Sequence, residues 1–392
     1  MASSLPDGVL YVPPVLIYGS GTAAKVGEES RKLGGTKGLI VTDEVIIKLG
    51  ILDSIQKSLA QAKIKSAIYS GVATEPTVEF VLEGLQSYRE NGCDFLVAVG
   101  GGSAIDAAKA IAVMVTNQGA IADYRGVNQI PVRGAPVVAV PTTAGTGSEA
   151  TRVAIITDTV QDIKMLYISP FLVPQVAIAD PLLTLSMPRG LTAATGIDAL
   201  THAIEAYVSL KAHPMADIFS LAAIELISGN LREAWSNGNN ETARERVMLG
   251  ALQAGIAFSN ASVALVHGMS RPIGACFHVA HGVSNAALLS VVTEFSLSGN
   301  PERYARIAQA MEETTTGLPA MEAATKAAEA IKRLVSDIKI PSLRELGVDK
   351  EELTRLAPKM AEDALASGSP TNNPRQATKE EIIELYLLAY NE

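Results

Sequence analysis

One change of period divides this chain. Up to about residue 187, short β-branched runs alternate with stretches of ten or more residues that read as helix, the pattern of a parallel α/β sheet. Beyond Pro181 and Pro188 nearly every segment repeats its apolar residues with a period of 3.6, and from Leu191 to the end no run reads as a strand. The expected architecture is an α/β domain over residues 1–187 followed by an all-helical domain over 188–392. A length of 392 residues exceeds what one ordinary core organises, which agrees with two domains.

Within the first half the expected strands are 38–42, 65–69, 95–99 and 136–140, with further ones at 153–157 and 176–180. Amphipathic segments at 23–33, 78–91 and 104–116 separate them. In the second half the expected helices run 191–209, 214–236, 241–259, 282–297, 301–312, 318–336, 350–363 and 378–390. The polar stretch 366–375 precedes the last of these, and no internal repeat or low-complexity tract interrupts the chain.

Charge narrows the partners. The net charge is −9 and no basic run occurs, which argues against a nucleic-acid surface or an anionic membrane and leaves small molecules. No stretch has the apolar length needed to span a bilayer. Met1–Gly8 lacks both a basic and an apolar leader region, so no secretory signal is expected. Cys93 and Cys276 read as small buried residues, suited to a reducing cytoplasm.

Two loops have the chemistry of phosphate binding. Phe95–Val99 runs into Gly100, Gly101, Gly102 and Ser103 and then a helix, so glycines let the backbone approach a ligand and the first helical N–H groups face it. Ser103 is placed either to cap that helix or to donate to phosphate. The spacing is not G-x-G-x-x-G. A second turn, Pro141–Glu149, follows another apolar strand and carries Thr142, Thr143, Thr146 and Ser148 among its glycines. Loops at the carboxyl ends of parallel strands are where such folds bind nucleotides. Asp43 directly follows the strand ending at Thr42, where a carboxylate accepts from ribose hydroxyls and repels a 2′-phosphate, favouring NAD over NADP; the competing role is N-cap of the helix that begins near Glu44.

In the helical half, Asp198 and His202 stand four residues apart in a helix-forming run and leave one face of it. His267 and His281 occur downstream, each followed by a glycine that lets other groups approach. An aspartate with three neutral imidazoles suits Fe(II) or Zn(II) and leaves room for a substrate oxygen. The 65 residues between His202 and His267 mean that only the fold can close such a site. His213, before Pro214, reads as a loop residue without a role. His278, three residues before His281, is open between a proton relay and plain packing.

Together these motifs resemble the iron-containing (group III) alcohol dehydrogenases, over essentially the whole chain: Gly100–Ser103, Pro141–Glu149, Gly196–Tyr207, and His267-Gly268-Met269 through His281–Ala286. The resemblance implies a Rossmann-like N-terminal domain, an all-helical C-terminal domain and an active site in the cleft between them, the dehydroquinate synthase-like fold. It implies that Asp198, His202, His267 and His281 hold the metal, that Asp43, Gly101, Gly102, Ser103, Thr142, Thr143, Thr146 and Lys164 contact the nicotinamide cofactor, and that Phe258 lines the substrate pocket. Gly100, Asp106 and Ser148, in the same two loops, complete the candidate cofactor set. It further implies a homodimer. One departure stands out: many members have a second histidine four residues after the one matching His267, and this chain has Arg271. Either proton relay passes to His278, or Arg271 faces the pocket and attracts an acidic substrate, or it forms a plain salt bridge.

The expected chemistry is NAD(H)-linked. The metal acidifies an alcohol at its open position and hydride passes to nicotinamide C4, or an aldehyde is reduced in reverse. Small primary alcohols, diols and aldehydes are the expected substrates, with a hydroxy acid served by Arg271 as the alternative. A dehydroquinate synthase-like lyase needs a basic pocket that the sequence does not supply. A metal-free reductase of the maleylacetate type is disfavoured because all four ligand positions are filled, and a non-catalytic interaction protein has little reason to hold two phosphate loops and a metal set.

Overall fold

The computed structural model describes residues 8–161 and 163–391, so the reading of Met1–Asp7 as lacking a leader lies outside the described residues. The chain forms two compact units, Tyr11–Ser186 and Met187–Glu392, the second including the stretch that ends at Leu10.

The first unit is built on strands β1 (Val15–Tyr18), β2 (Lys37–Val41), β3 (Lys65–Tyr69), β4 (Phe95–Gly100), β5 (Gly126–Val127), β6 (Val137–Pro141), β7 (Val153–Asp158), β8 (Ile163–Ile168) and β9 (Val176–Ala179), with helices α1 (Val26–Lys32), α2 (Glu44–Lys48), α3 (Leu52–Gln61), α4 (Val78–Glu90) and α5 (Gly102–Thr116). Six strands form one parallel sheet in the order β1-β9-β6-β4-β2-β3; β5, β8 and β7 form a small mixed sheet. Period-2 alternation sends neighbouring residues to opposite faces, and both faces are buried, as parallel sheets require. Leu39, Leu96, Ala98, Val137 and Ala139 pack with Val81 and Leu85 of α4 and Ile105 and Ile111 of α5. Ile40, Phe95, Val97, Val138 and Val140 face the other way, onto Val26 of α1 and Ile55 and Leu59 of α3. The expectation omitted β1 and β5, short strands at sheet edges, and also β8, the central strand of the small sheet, and α3.

The second unit is helical: α6 (Arg189–Val208), α7 (Pro214–Ser236), α8 (Glu241–Ala261), α9 (Leu265–Phe277), α10 (His281–Ser296), α11 (Pro301–Ala310), α12 (Ala320–Asp337), α13 (Lys350–Ala366) and α14 (Lys379–Leu388). Every residue of α6 from Gly196 to Val208 is buried. A helix without a polar face belongs inside a bundle, and α7, α8 and α10 pack around it. The sequence reading had no helix between 259 and 282, yet α9 lies there and carries His267. Gly268, Pro272 and Gly274 within thirteen residues depress helix propensity, and tertiary packing overrides it. His213 lies in the connection before α7, as expected, where it is the N-cap of that helix and is buried. Cys276 corrects a second expectation, being exposed on α9, while Cys93 is buried; both are free thiols. No single described helix is long and apolar enough to cross a membrane.

Beneath the second phosphate loop lies a buried polar network. Lys109 Nζ, on α5, donates to Ser148 Oγ (2.9 Å), Thr151 Oγ1 (3.0 Å), Thr151 O (3.1 Å) and Val153 O (2.9 Å). Asp106, one turn earlier, accepts from Ser148 Oγ and from Ile155 N (3.0 Å). Burial pushes the neighbouring Glu149 carboxyl up to about 7 and the Lys109 ammonium down to about 8. Between the ordinary value of 4.5 and about 7 the folded chain keeps a proton on Glu149 that the unfolded chain has lost, so stability falls as pH rises there. Between about 8 and 10.5 the unfolded chain keeps a proton on Lys109 that the folded chain lacks, so stability rises again. Glu149→Gln should therefore flatten the fall in thermal midpoint from pH 5 to 7 and stabilise the chain near neutrality by on the order of 2 kcal/mol. A variant melting with the wild-type pH profile would remove Glu149 from this account.

Candidate active site

Three helices deliver the chemistry of the helical unit. On α6, Asp198, His202 and Glu205 follow at i, i+4 and i+7 and share one face. His267 sits in the first turn of α9, and His281 opens α10 with Asn285 four residues on. The fold brings Asp198 Oδ1 to within 3.7 Å of His267 Nε2 and 3.8 Å of His281 Nε2. These three ligand atoms all lie within 4.8 Å of one another. His202 joins differently: its ring is stacked between Phe258 (centroids 4.1 Å apart) and His267 (4.4 Å), and its Nδ1 stands 4.0 Å from Asp198 Oδ1.

The glycines after the two downstream histidines do admit close approach, but what approaches is the protein itself. A Cβ on Gly268 would stand 2.6 Å from Pro370 Cγ, and one on Gly282 would stand 2.6 Å from the Ala194 carbonyl oxygen on α6. Both histidines are thereby carried close to the rest of the unit.

Two functional side chains escaped the sequence reading. Asn285 Nδ2 lies 2.7 Å from Asp198 Oδ1 and 3.2 Å from both His267 Nε2 and His281 Nε2, at the point on which the three acceptors converge. Glu205 Oε2 is 2.5 Å from His267 Nδ1, and its Oε1 accepts from Val266 N (2.6 Å) and His267 N (3.4 Å). The only signal for either was position: Glu205 two turns after Asp198, Asn285 one turn after His281.

Electrostatics follow from burial and proximity. Burial opposes ionisation of Asp198, but His202, His267 and His281 outweigh it and hold the carboxyl well below its usual range. Burial pushes His202 down to about 3 and keeps it neutral. Burial also disfavours the imidazolium of His267, yet Glu205 and Asp198 overcome it and push this ring up to about 9. Convergent acceptors drawn from one carboxylate and imidazoles fit a borderline divalent cation. His202 Nδ1 and Asn285 Oδ1, both buried and without hydrogen-bond partners among the described residues, are the unsatisfied atoms such a centre leaves to a ligand.

Arg271, one turn after His267 on α9, is partly buried, and among the described residues no hydrogen bond or ion pair engages its guanidinium. The salt bridge considered for it is thus not formed. Burial lowers its pKa, with Glu205 acting in the opposite direction. His278 is exposed, in the left-handed conformation that closes α9.

In the sheet unit the two phosphate loops meet. A Cβ on Gly102 would stand 2.8 Å from Thr146 Cγ2, and one on Gly101 would stand 3.5 Å from Thr143 Oγ1, while Thr142 N donates to Gly100 O (2.9 Å). Gly100 has φ +156°, which disfavours any side chain there. The N-cap of α5 is Gly101, so Ser103 lies in the first turn and does not cap; with no side-chain cap, the leading N–H groups of α5 are left to a ligand. Asp43 is the N-cap of α2, its Oδ1 accepting from Val45 N (2.7 Å) and Ile46 N (2.9 Å), while Oδ2 lies 3.8 Å from a Cβ position on Gly100 and so faces the glycine loop. Asp106 and Ser148 are engaged in the network around Lys109 and support the loop from beneath. Lys164, on β8, pairs with Glu75 at 2.6 Å.

The family descriptions "Iron-containing alcohol dehydrogenase" and "Fe-containing alcohol dehydrogenase family, C-terminal" match residues 13–181 and 192–390. The chain belongs to the iron-containing alcohol dehydrogenase family and is an oxidoreductase of the alcohol dehydrogenase type. It is 43% identical over 382 residues to 1,3-propanediol dehydrogenase of Citrobacter freundii, covering 97% of this chain and 98% of that one. It is 39% identical over 376 residues to NAD-dependent methanol dehydrogenase of Bacillus methanolicus, covering 96% and 98%. A crystal structure of 1,3-propanediol oxidoreductase superposes with a TM-score of 0.95 at 42% identity, covering 98% of this chain and 100% of that one.

The close approach at Gly282 gives a test. Gly282→Ala forces α10 away from the Ala194 carbonyl, which should destabilise the chain by about 1–3 kcal/mol and weaken Zn(II) or Co(II) binding through the adjoining His281. A melt and a metal titration both matching wild type would show that this contact does not set the position of His281.

Proposed function

We propose that this chain is an NAD(H)-linked, metal-dependent alcohol dehydrogenase that interconverts a small primary alcohol or diol and its aldehyde. The convergence of buried Asp198 and His267 with the exposed His281 in the helical unit carries this reading. The relatives named as acting on 1,3-propanediol and methanol support the substrate class.

Asp198, His267 and His281 would hold the metal, and the His202 ring, confined by its stack on Phe258, would supply a fourth ligand. An iron or zinc ion held there supplies Lewis acidity that stabilises the deprotonated alcohol or polarises the aldehyde. Phe258, on the far side of His202, forms an apolar wall that keeps water from that edge of the site. The ionised Asp198 and the neutral His202 are already in the protonation states that ligation requires. His278, exposed three residues before His281, is the imidazole we assign to exchanging the substrate proton with water.

The nicotinamide cofactor supplies or accepts the hydride. The free N–H groups at the start of α5, with Thr142, Thr143 and Thr146, are suited to its diphosphate, and Asp43 Oδ2 to its ribose hydroxyls. Lys164 stands on the small sheet with Glu75 as its partner, and we assign it to the cofactor's polar edge.

A second reading concerns the substrate. The unpaired, partly buried guanidinium of Arg271 favours an alcohol or aldehyde that also bears a carboxylate, because a buried cation without a partner is stabilised by an anionic ligand.

Protein purified anaerobically should carry about one iron or zinc per chain and form NADH from simple alcohols or diols. His267→Ala should remove the metal and lower turnover by more than the roughly 100-fold typical of outer-shell losses. Metal and turnover surviving this change would overturn the site assignment. Arg271→Gln should raise KM for hydroxy acids about 10- to 100-fold relative to neutral alcohols, and an equal effect on both classes would dismiss the acidic substrate.

A further inference from the structure

We propose that Glu205 is the positioning residue of this metal site: it locks His267 in the tautomer whose unprotonated Nε2 faces Asp198 and His281. The proposal rests on the metal reading above.

Glu205 lies seven residues after Asp198, two turns along the same face of α6, and is 2% exposed. Its carboxylate holds one residue from two sides. Oε1 takes the backbone N–H groups of Val266 and His267, and Oε2 meets the His267 ring at Nδ1. Oε1 of the same carboxylate already accepts from two backbone N–H groups and Oε2 lies 2.5 Å from Nδ1, a geometry in which the ring nitrogen donates and Nε2 is left as an acceptor. The opposite edge of the ring agrees independently: Nε2 stands 3.2 Å from the Asn285 amide nitrogen, which can only donate.

The same contacts explain how α9 begins. Its N-cap, Ala264, has no side chain able to cap, and the N–H groups at the second and third helical positions are satisfied by Glu205 instead. A carboxylate there also favours the positive end of the helix. Backbone and ring of His267 therefore move together, and both are referred to α6, the helix that carries Asp198 and His202. Arg271, one turn further along α9, is a cation that the charge of Glu205 stabilises. Carboxylate partners of this kind raise the basicity of a ligating imidazole and fix its orientation.

Glu205→Gln keeps the volume and an acceptor for the helix cap but loses the charge. It should weaken Co(II) binding 10- to 100-fold in a chelator competition and shift the visible absorption bands of the Co(II)-loaded chain, with a thermal midpoint close to wild type. A mere helix cap would move the midpoint alone, so wild-type Co(II) affinity and spectrum in this variant would overturn the proposal while leaving the metal reading intact. Wild-type chain that takes up no Co(II), Zn(II) or Fe(II) would overturn both. Imidazole nitrogen NMR on the metal-free wild type at pH 10, above the value of about 9 to which this ring is raised and so where it has lost its second proton, with His267 assigned by its absence from His267→Ala, gives an answer independent of any Glu205 variant. Nδ1 protonation is expected, and an Nε2-protonated ring would overturn the proposal.

Discussion

Three lone pairs that face one another are the constraint on which the helical unit depends. Asp198 Oδ1, His267 Nε2 and His281 Nε2 are all acceptors; Asp198 and His267 are buried, where acceptors without donors destabilise a fold, and His281 reaches them from an exposed position. The amide of Asn285 is placed among them because a single NH2 group reaches all three. Glu205 takes the opposite edge of His267, so that this ring donates on one side and accepts on the other. The stack of His202 between Phe258 and His267 satisfies shape where hydrogen bonding does not, leaving Nδ1 without a partner. Gly282 then lets α10 touch the α6 backbone, and Gly268 lets α9 touch Pro370, which no larger residue permits.

The sheet unit solves a different problem by different means. The groups we assign to the cofactor's diphosphate are backbone amides at the start of α5, whose direction follows from the helix axis and which a glycine N-cap leaves without a side-chain cap. Side chains serve mainly as support. Lys109 is 1% exposed and ties Ser148, Thr151 and Val153 together, so the second loop is anchored from beneath while Thr143 and Thr146 lie against the glycine turn. Asp106 and Ser148 act within that anchor, where sequence position alone grouped them with the cofactor contacts.

The division between the two units explains what was legible in advance. The change of period near 187 was visible because both faces of the sheet are apolar, whereas the helices beyond it repeat their apolar residues every 3.6 positions. Side-chain acceptors of rare types, Asp198 and the histidines, announced themselves by chemistry. Glu205 and Asn285 did not, since a glutamate or asparagine on a helix carries no signal until the opposite helix is in place. The helix α9 was missed for a related reason: Gly268 and Pro272 weaken it locally, and it is packing against Pro370 and capping by a residue 61 positions away that stabilise it. Asp43 was legible as an N-cap, which its Oδ1 performs for Val45 N and Ile46 N, while Oδ2 faces the glycine turn.

The same helix determines the charge of the site. Asp198 and Glu205 bring two carboxylates into one interior, and His202 is held neutral there. Where many relatives place a second histidine, α9 presents Arg271, whose charge persists at any pH the fold survives. A histidine at that turn can carry a proton to and from a substrate near neutrality, whereas an arginine cannot. At that turn this chain therefore places a fixed positive charge within electrostatic reach of Glu205, which alters the field around Asp198 and the histidines. Among the described residues no hydrogen bond or ion pair engages the Arg271 guanidinium, and Glu205 acts on it through charge alone.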